Sequence, residues 1–392
     1  MKKSLRHCPI CSCENVKILH SQNFLVPENY PLPKSYDVVC CDQCGFVFAD
    51  TLATQEVYDF FYTKWSKYED SQTATGGGDS VYDAMRLRET ALQIDLLFSD
   101  KSISILDVGC GNGGLLDELK KLGYNNLSGL DPSSICVQNI KNKNIEAYEG
   151  GIFNMSILQG RTFDLVILSH VFEHIYDLRM AKNNLSSIVK KEGCLYIETP
   201  DASRYKDYFI LPYYYFDTEH INHYDEYFHE LLFSDNFSKV VSGKKNMLVN
   251  ENLNYPAVFS LLCKDGKTQI SSTVKYEVVE ESVEEFINQS GKENNISFIE
   301  GLEESQEPIV IFGAGNYAMR LLANSGLPNC NISFFIDNDS KKREKSILGK
   351  KVKDISALKE FNGLVVICSA LFSAQIKEQI VRAGYKNEIV VI

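Results

Sequence analysis

This 392-residue chain has no long apolar run; none approaches the roughly 20 residues that a membrane-crossing helix needs. Its first residues, Met1-Lys-Lys-Ser-Leu-Arg-His-Cys8, carry positive charge with no apolar stretch behind them, so an export signal is not expected. Positive charge is scarce overall. Forty Lys and Arg face 52 Asp and Glu, a net charge of −12. Non-specific nucleic-acid binding runs on clustered Lys and Arg, so that class is disfavoured. No short internal repeat is present. What remains is an ordinary globular composition, 44% hydrophobic and 23% charged, at a length that suggests two or three domains. A cytoplasmic protein acting on a small molecule is the expectation, with no membrane or nucleic-acid partner. Nothing in the composition fixes an oligomeric state.

The most informative stretch is Ile105-Leu-Asp-Val-Gly-Cys-Gly-Asn-Gly-Gly114. The run Ser102-Ile-Ser-Ile-Leu106 ends in an acid and then in glycines, the pattern of a strand, a tight turn and a helix start. A second run, Asn126-Leu-Ser-Gly-Leu130, ends in Asp131, at the spacing of a second strand whose carboxylate grips a ribose. Glycines let a cofactor lie against bare backbone, and a helix N-terminus favours a carboxylate or phosphate. Gly109-x-Gly111-x-Gly113 departs from the dinucleotide fingerprint and resembles the Asp-x-Gly-x-Gly motif of S-adenosylmethionine (SAM)-dependent methyltransferases. Further strand-like runs at 144–148, 163–168 and 193–198 alternate with helical stretches, which argues for a parallel sheet. Val240–Val241 and Ala257–Cys263 are candidates for antiparallel edge strands.

Six of the twelve cysteines lie before residue 45. Cys8-Pro-Ile-Cys11 and Cys41-Asp-Gln-Cys44 each put two thiols on one knuckle, and two knuckles make a tetrahedral thiolate site for a structural zinc ion. Cys13 and Cys40 compete as ligands, Cys40 as a replacement for Cys41. Residues 1–50 are thus expected to form a zinc unit, and 51–98 a helical region. Within the latter, Ser66–Ser80 carries Tyr68 and three glycines around Gly77, either a plain loop or a lid over substrate.

Two histidine-bearing segments follow the fourth and fifth strand-like runs. His170-Val-Phe-Glu-His174 has histidines at i, i+4, a metal-binding spacing on a helix, but Glu173 is out of place for H-E-x-x-H and no third ligand is evident. Orientation of the loop by His174 and proton transfer near a substrate are the remaining readings. Tyr213-Tyr-Tyr-Phe-Asp-Thr-Glu219-His220-Ile-Asn-His223-Tyr224 sets a carboxylate beside an imidazole, which can fix its tautomer and raise its basicity. His229 reads as a surface residue.

Residues 99–265 would then form the cofactor domain, 266–305 a helical connector, and 306–392 a second α/β unit. That unit opens with Pro308-Ile-Val-Ile-Phe-Gly313-Ala-Gly315-Asn-Tyr-Ala318, and Asp337 lies 22 residues after Gly315. This is a partial dinucleotide fingerprint, with Ala318 at the third glycine. A second cofactor site, a substrate-facing unit and a purely structural domain are all compatible with it.

The order of these parts resembles the sugar C-methyltransferases of deoxysugar biosynthesis. The carrying residues are Tyr30-Pro-Leu-Pro33 before Val38-Val-Cys-Cys-Asp-Gln-Cys44-Gly, the Tyr68 loop, Glu173-His174, Glu219-His220 and Gly313-Ala-Gly315. The resemblance implies an α/β fold: a class I SAM methyltransferase doubly wound sheet, a small N-terminal zinc unit and a C-terminal Rossmann-like domain. It implies a SAM site of Asp107, Gly109, Cys110, Gly111, Gly113, Asp131 and Pro132, completed by Gly151, Ile152, Ser169 and His170. It implies that Tyr68, His174, Glu219 and His220 surround a nucleotide-linked ketosugar, with Gly77, Tyr215, His223 and Asn316 as further substrate contacts. The family places a Tyr just before the Glu-His pair, where this chain has Phe216-Asp-Thr. In this reading His220 is the base, oriented by Glu219, and His174 or Tyr68 donates to a developing oxyanion. O-methylation of a sugar or other small molecule is the alternative, and a non-catalytic SAM-binding module a third.

Overall fold

The computed structural model describes residues 2–65, 80–251, 253–265, 275–292, 296–343, 345–369 and 371–392. The chain divides into two compact units. The first takes residues 1–19, 39–208 and 219–285; the second takes 20–38, 209–218 and 286–392.

The N-terminal strands are β1 (Lys2–Lys3), β2 (Asn15–Asn23), β3 (Ser35–Cys41) and β4 (Val47–Asp50). Two helices follow, α1 (Gln55–Lys64) and α2 (Val81–Leu97). Ser80 caps α2 by accepting from the Asp83 amide, as a helix start with unmet N–H groups requires. The central α/β run is β5 (Ile105–Val108), α3 (Gly114–Lys121), β6 (Leu127–Asp131), α4 (Ser134–Asn142), β7 (Glu146–Glu149), β8 (Phe163–Ser169), α5 (Leu178–Ile188) and β9 (Val189–Pro200). A short β10 (Asn222–His223), α6 (Glu226–Phe233), β11 (Phe237–Asn250) and β12 (Leu253–Lys264) complete it. Helix α7 (Val278–Lys292) follows.

The seven-stranded sheet has the order β11-β12-β9-β8-β5-β6-β7. Strands β7, β6, β5, β8 and β9 are parallel, and β12 and β11 add antiparallel at the edge. The five parallel strands and the antiparallel pair fall on the runs expected from the sequence. Parallel strands are covered on both faces, which is why β5 reads Ile-Leu-Asp-Val with every residue buried. One layer of the core joins Leu87, Ala91 and Ile94 of α2 to Leu115, Leu116 and Leu119 of α3 and to Ile105, Leu165 and Tyr196 of the sheet. The strand order turns back at β5, which has β6 on one side and β8 on the other. Loops leaving the C-terminal ends of strands at such a reversal frame a crevice.

In the second unit, α8 (Ile296–Ser305) precedes β13 (Ile309–Phe312), α9 (Asn316–Asn324), β14 (Ile332–Ile336), β15 (Ser346–Ile347), β16 (Lys350–Lys353), β17 (Leu364–Ile367), α10 (Ser373–Arg382) and β18 (Ile389–Val391). The sheet order is β15-β16-β14-β13-β17-β18, parallel except at β15–β16. The fold is therefore the expected one: α/β, with a doubly wound methyltransferase-type sheet, a second Rossmann-like sheet and a small Cys-rich N-terminal cluster. β15 and β16 were not foreseen; two- and four-residue strands rich in Lys carry no alternating pattern.

Candidate functional site

Strand β5 delivers Asp107 into the turn Gly109–Gly113, and α3 begins at Gly114. Gly109 has φ +70°, and a Cβ built on it would stand 2.7 Å from Cγ2 of Val171. Any side chain there would strain the turn and strike the loop after β8. The close approach also shows that the glycine turn and the 170–174 loop abut. At the end of β6, Asp131 accepts from the Gly111 amide at 2.8 Å and from the Ser133 amide at 2.9 Å. Asp107 is buried, and burial together with the nearby Asp131 charge pushes its carboxyl up to about 8. Such a group calls for a cation. Cys110 is buried, its sulfur 2.8 Å from where a Cβ on Gly129 would lie, and burial pushes its thiol up. Pro132 is exposed, and open space surrounds Gly151. Ile152 is buried and its carbonyl accepts from Asn184 at 2.9 Å.

Strand β8 ends at Ser169, and His170 follows with φ +57°, outside helical space. The i, i+4 pairing of His170 with His174 that a helix would allow therefore does not form. Residues Phe172–His174 make one 3-10 turn instead. His170 Nδ1 lies 3.2 Å from Glu173 Oε1. Its Nε2 stands 3.5 Å from Glu198 Oε1, a charge contact with no hydrogen bond. Burial works against its protonation, but the two carboxylates beside it outweigh burial and raise its pKa. Beneath it, the fully buried Glu198 of β9 takes Lys245 Nζ at 2.6 Å, Tyr196 OH at 2.9 Å and Ser169 Oγ at 3.3 Å. Burial would lift this carboxyl, but the Lys245 charge and the other donors hold it well below the usual range.

The sequence left the third member of the histidine cluster open; the fold brings in His220. His174 Nδ1 lies 3.1 Å from the Glu219 carbonyl, and the His174 and His220 rings are 4.8 Å apart. Tyr62 of α1 meets His174 edge-on at 5.8 Å. Glu173, His174 and His220 each offer a ligand atom, all within 4.8 Å of one another. Glu173 is 1% exposed and His220 half-buried. Burial would raise the Glu173 carboxyl, yet the His170 hydrogen bond and the His174 and His220 imidazoles hold it down.

Two residues that sequence reasoning missed hold this pair of loops. Asn222 Nδ2 donates to the Phe172 carbonyl at 3.0 Å and the Ile175 carbonyl at 2.7 Å. Arg6 is buried, and its guanidinium donates to the carbonyls of Ile221 (3.3 Å), Ile175 (3.4 Å) and Tyr176 (2.5 Å). No local pattern marks either residue; both act across long sequence separations. His223 is fully buried against the Tyr205 hydroxyl at 3.3 Å. His229, expected at the surface, is buried on α6 between Thr199 Oγ1 (2.9 Å) and Ser260 Oγ (3.1 Å). Burial drives its pKa down to about 3, so it is a neutral interior imidazole.

Cys8, Cys11, Cys41 and Cys44 converge, with Sγ–Sγ separations of 3.6 Å for Cys8–Cys44 and 3.5 Å for Cys11–Cys41. A zinc–sulfur bond of about 2.3 Å gives tetrahedral edges near 3.8 Å, so the four sulfurs fit that ion. Cys13 and Cys40 stand outside the group: Cys13 contacts the Asn15 carbonyl and Cys40 the Gly45 carbonyl. Gly45 closes the second knuckle at φ +83°, where a Cβ would lie 1.8 Å from the Tyr276 carbonyl oxygen.

Tyr215 and Asn316 fall in the second unit. Tyr215 is buried, packed edge-on to Phe286 at 5.0 Å. Asn316 opens α9, and its Oδ1 accepts from Thr218 at 3.2 Å. Asp337 repeats the device of Asp131: its carboxylate takes the amides of Ala314 (2.7 Å) and Asp339 (2.9 Å), with Lys342 Nζ at 3.1 Å. Tyr68 and Gly77 lie outside the described residues.

Residues 82–240 match the family model described as methyltransferase domain, and residues 305–391 match one described as C2185-like, N-terminal. A mitochondrial ubiquinone biosynthesis O-methyltransferase of Dictyostelium discoideum is 31% identical over 114 residues, 25% of this chain and 36% of that protein. The corresponding Homo sapiens protein is 33% identical over 109 residues, 25% of this chain and 28% of its own. The chain thus spans less than half the length of these curated relatives. Among solved structures, coclaurine N-methyltransferase bound to N-methylheliamine and SAH aligns at 14% identity with a TM-score of 0.38, over 50% of this chain and 78% of that one. Among the described residues no helix is long and apolar enough to cross a membrane. Residues 82–240 are a class I SAM-dependent methyltransferase domain, carried within a longer chain.

Proposed function

We propose that the chain transfers the methyl group of SAM to a small-molecule acceptor, and that the acceptor is a nucleotide-linked ketosugar methylated at carbon. One observation carries the transferase reading: the Gly109 turn abuts Val171 in the loop that bears Glu173 and His174. Cofactor-binding backbone and acid–base side chains therefore share the strand-end crevice. The ketosugar reading is supported by the resemblance carried by Glu173-His174, Glu219-His220 and Gly313-Ala-Gly315.

Bound SAM supplies an electrophilic methyl group. Asp107 offers a carboxylate to its cationic amino-acid end, and Asp131 offers a carboxylate to its ribose. His220, next to Glu219, takes the proton from the carbon beside the ketone. The electron pair left behind attacks the methyl carbon as the sulfur–methyl bond breaks. His174 donates to the oxyanion that develops meanwhile. Cys8, Cys11, Cys41 and Cys44 would hold a structural zinc ion.

His220→Ala is expected to abolish turnover and leave SAM binding, read by calorimetry, unchanged. Near-normal turnover would overturn the base assignment. A second reading, O-methylation, draws on the ubiquinone O-methyltransferase relatives. Hydrogen exchange beside a ketone in the absence of SAM is expected only for C-methylation.

A further inference from the structure

We propose that Glu173, His174 and His220 form a binding site for one divalent first-row transition-metal ion, separate from the four-cysteine site. Two imidazoles and a carboxylate are a donor set that suits zinc, cobalt, iron or nickel, and three protein ligands leave positions open for a substrate oxygen.

Four observations carry the proposal. The three ligand atoms lie within 4.8 Å of one another. Closing them onto an ion with bonds of about 2.0–2.2 Å takes movements of roughly an ångström. The Glu173 carboxylate is 1% exposed and its Oε2 has no hydrogen-bond partner, an anionic atom sealed from water. Such an atom is costly to bury unless a cation meets it. The surroundings also match the outer shell of metal sites. His174 Nδ1 lies 3.1 Å from the Glu219 carbonyl; donating there leaves the lone pair on Nε2, which is 4.0 Å from Glu173 Oε1. His170 Nδ1, at 3.2 Å, anchors the carboxylate from the other side. Finally, Arg6 and Asn222 pin the loops that carry the ligands by their carbonyls, so the two imidazoles are held beside the acid without touching those clamps.

The inference rests on the transferase reading only for its use: an ion here would lower the pKa of an acceptor hydroxyl or enol, with His220 as ligand in place of base and the ion in place of His174 as the oxyanion's partner. Binding itself is independent of turnover, so the test reads metal alone. Cobalt(II) is titrated into the apo full-length chain. Thiolate coordination gives a sulfur-to-metal charge-transfer band; nitrogen and oxygen coordination gives none. The expected result is a second equivalent of cobalt per chain, bound without charge-transfer absorption. Glu173→Gln and His220→Ala should each lower the affinity of that equivalent at least tenfold, with circular dichroism and the thiolate band unchanged. The proposal is overturned if only thiolate-bound cobalt saturates, or if the second equivalent survives both substitutions. Absence of methyl transfer by the cobalt-loaded chain would count against the transferase reading alone.

Discussion

Asp107 sits in a state that a cationic ligand end would relieve further than the nearby Arg86 charge does. Burial and the Asp131 charge push its carboxyl up to about 8, so it is largely protonated at neutral pH. An unfolded Asp titrates near about 3.9. The neutral form favoured by the fold therefore contributes stability that is fully present below pH about 4 and lost as pH rises through about 8. Asp107→Asn keeps a neutral group at every pH. The ligand-free variant is expected to melt above the wild type at pH 8.5, with the gap closing toward pH 5; a gap independent of pH would contradict the titration. A cationic ligand end has the opposite preference, since it gains only from the ionised carboxylate. SAM affinity is then expected to rise between pH 6 and 8 by up to about tenfold per unit, for one released proton. Calorimetry in buffers of different ionisation enthalpy would count that proton, and Asp107→Asn should release none.

At the level of elements, the sheet positions the chemistry and the loops receive it from elsewhere. β5 and β6 end at Val108 and Asp131, and these ends were legible because a hydrophobic run stopping at an acid or at glycine is a local signal. The resemblance put His174 and His220 around one substrate, but the approach of Glu173 to both as a third group was not legible. It depends on the return of the chain after β9 and on β10, whose two residues carry no period. Glu198 is a similar case: one acid in a buried strand points to function, but its partner Lys245 comes from β11, 47 residues on. Arg6 shows the same limit most plainly. Its guanidinium stacks over Tyr176 at 4.5 Å and satisfies carbonyls in both histidine loops. Burial lowers its pKa; of its three carbonyl partners, Ile175 also accepts from Asn222 and Ile221 from the Ala49 amide, so the Tyr176 carbonyl leans on Arg6 most. Arg6→Lys keeps the charge and loses the planar fork. It is expected to destabilise by about 1–3 kcal/mol, the cost of a stranded buried polar group. Turnover should fall more than SAM binding, because the clamp acts on the loops and not on the glycine turn. Equal losses in both would mean that Arg6 serves stability alone.

For the whole molecule, the Cys-rich segment is tied to the rest of its unit by particular bonds. Arg6 stands two residues before Cys8, and its backbone amide and that of Leu5 donate to Asp50 Oδ1 at 2.8 and 2.7 Å. On the other knuckle, Tyr276 donates its amide to the Cys44 carbonyl at 3.2 Å and its hydroxyl to Asp225 at 2.7 Å. A four-thiolate zinc site contributes folding free energy directly, since the unfolded chain holds no such cluster. Removing the ion leaves four thiols that share protons at close range: hydrogen bonding with Cys11 pulls Cys41 down and pushes Cys44 up. Chelation is therefore expected to loosen the first knuckle and, through Arg6, the carbonyls of Ile175, Tyr176 and Ile221. Metal analysis of the native chain should find at least one zinc, and its removal should lower the melting temperature and slow turnover together. Gly45→Ala, which drives a methyl group into the Tyr276 carbonyl, should reproduce both effects with the cysteines intact. A chelated chain that keeps full turnover at a reduced melting temperature would separate the zinc unit from the histidine loops, and would confine Arg6 to the local packing around Asp50.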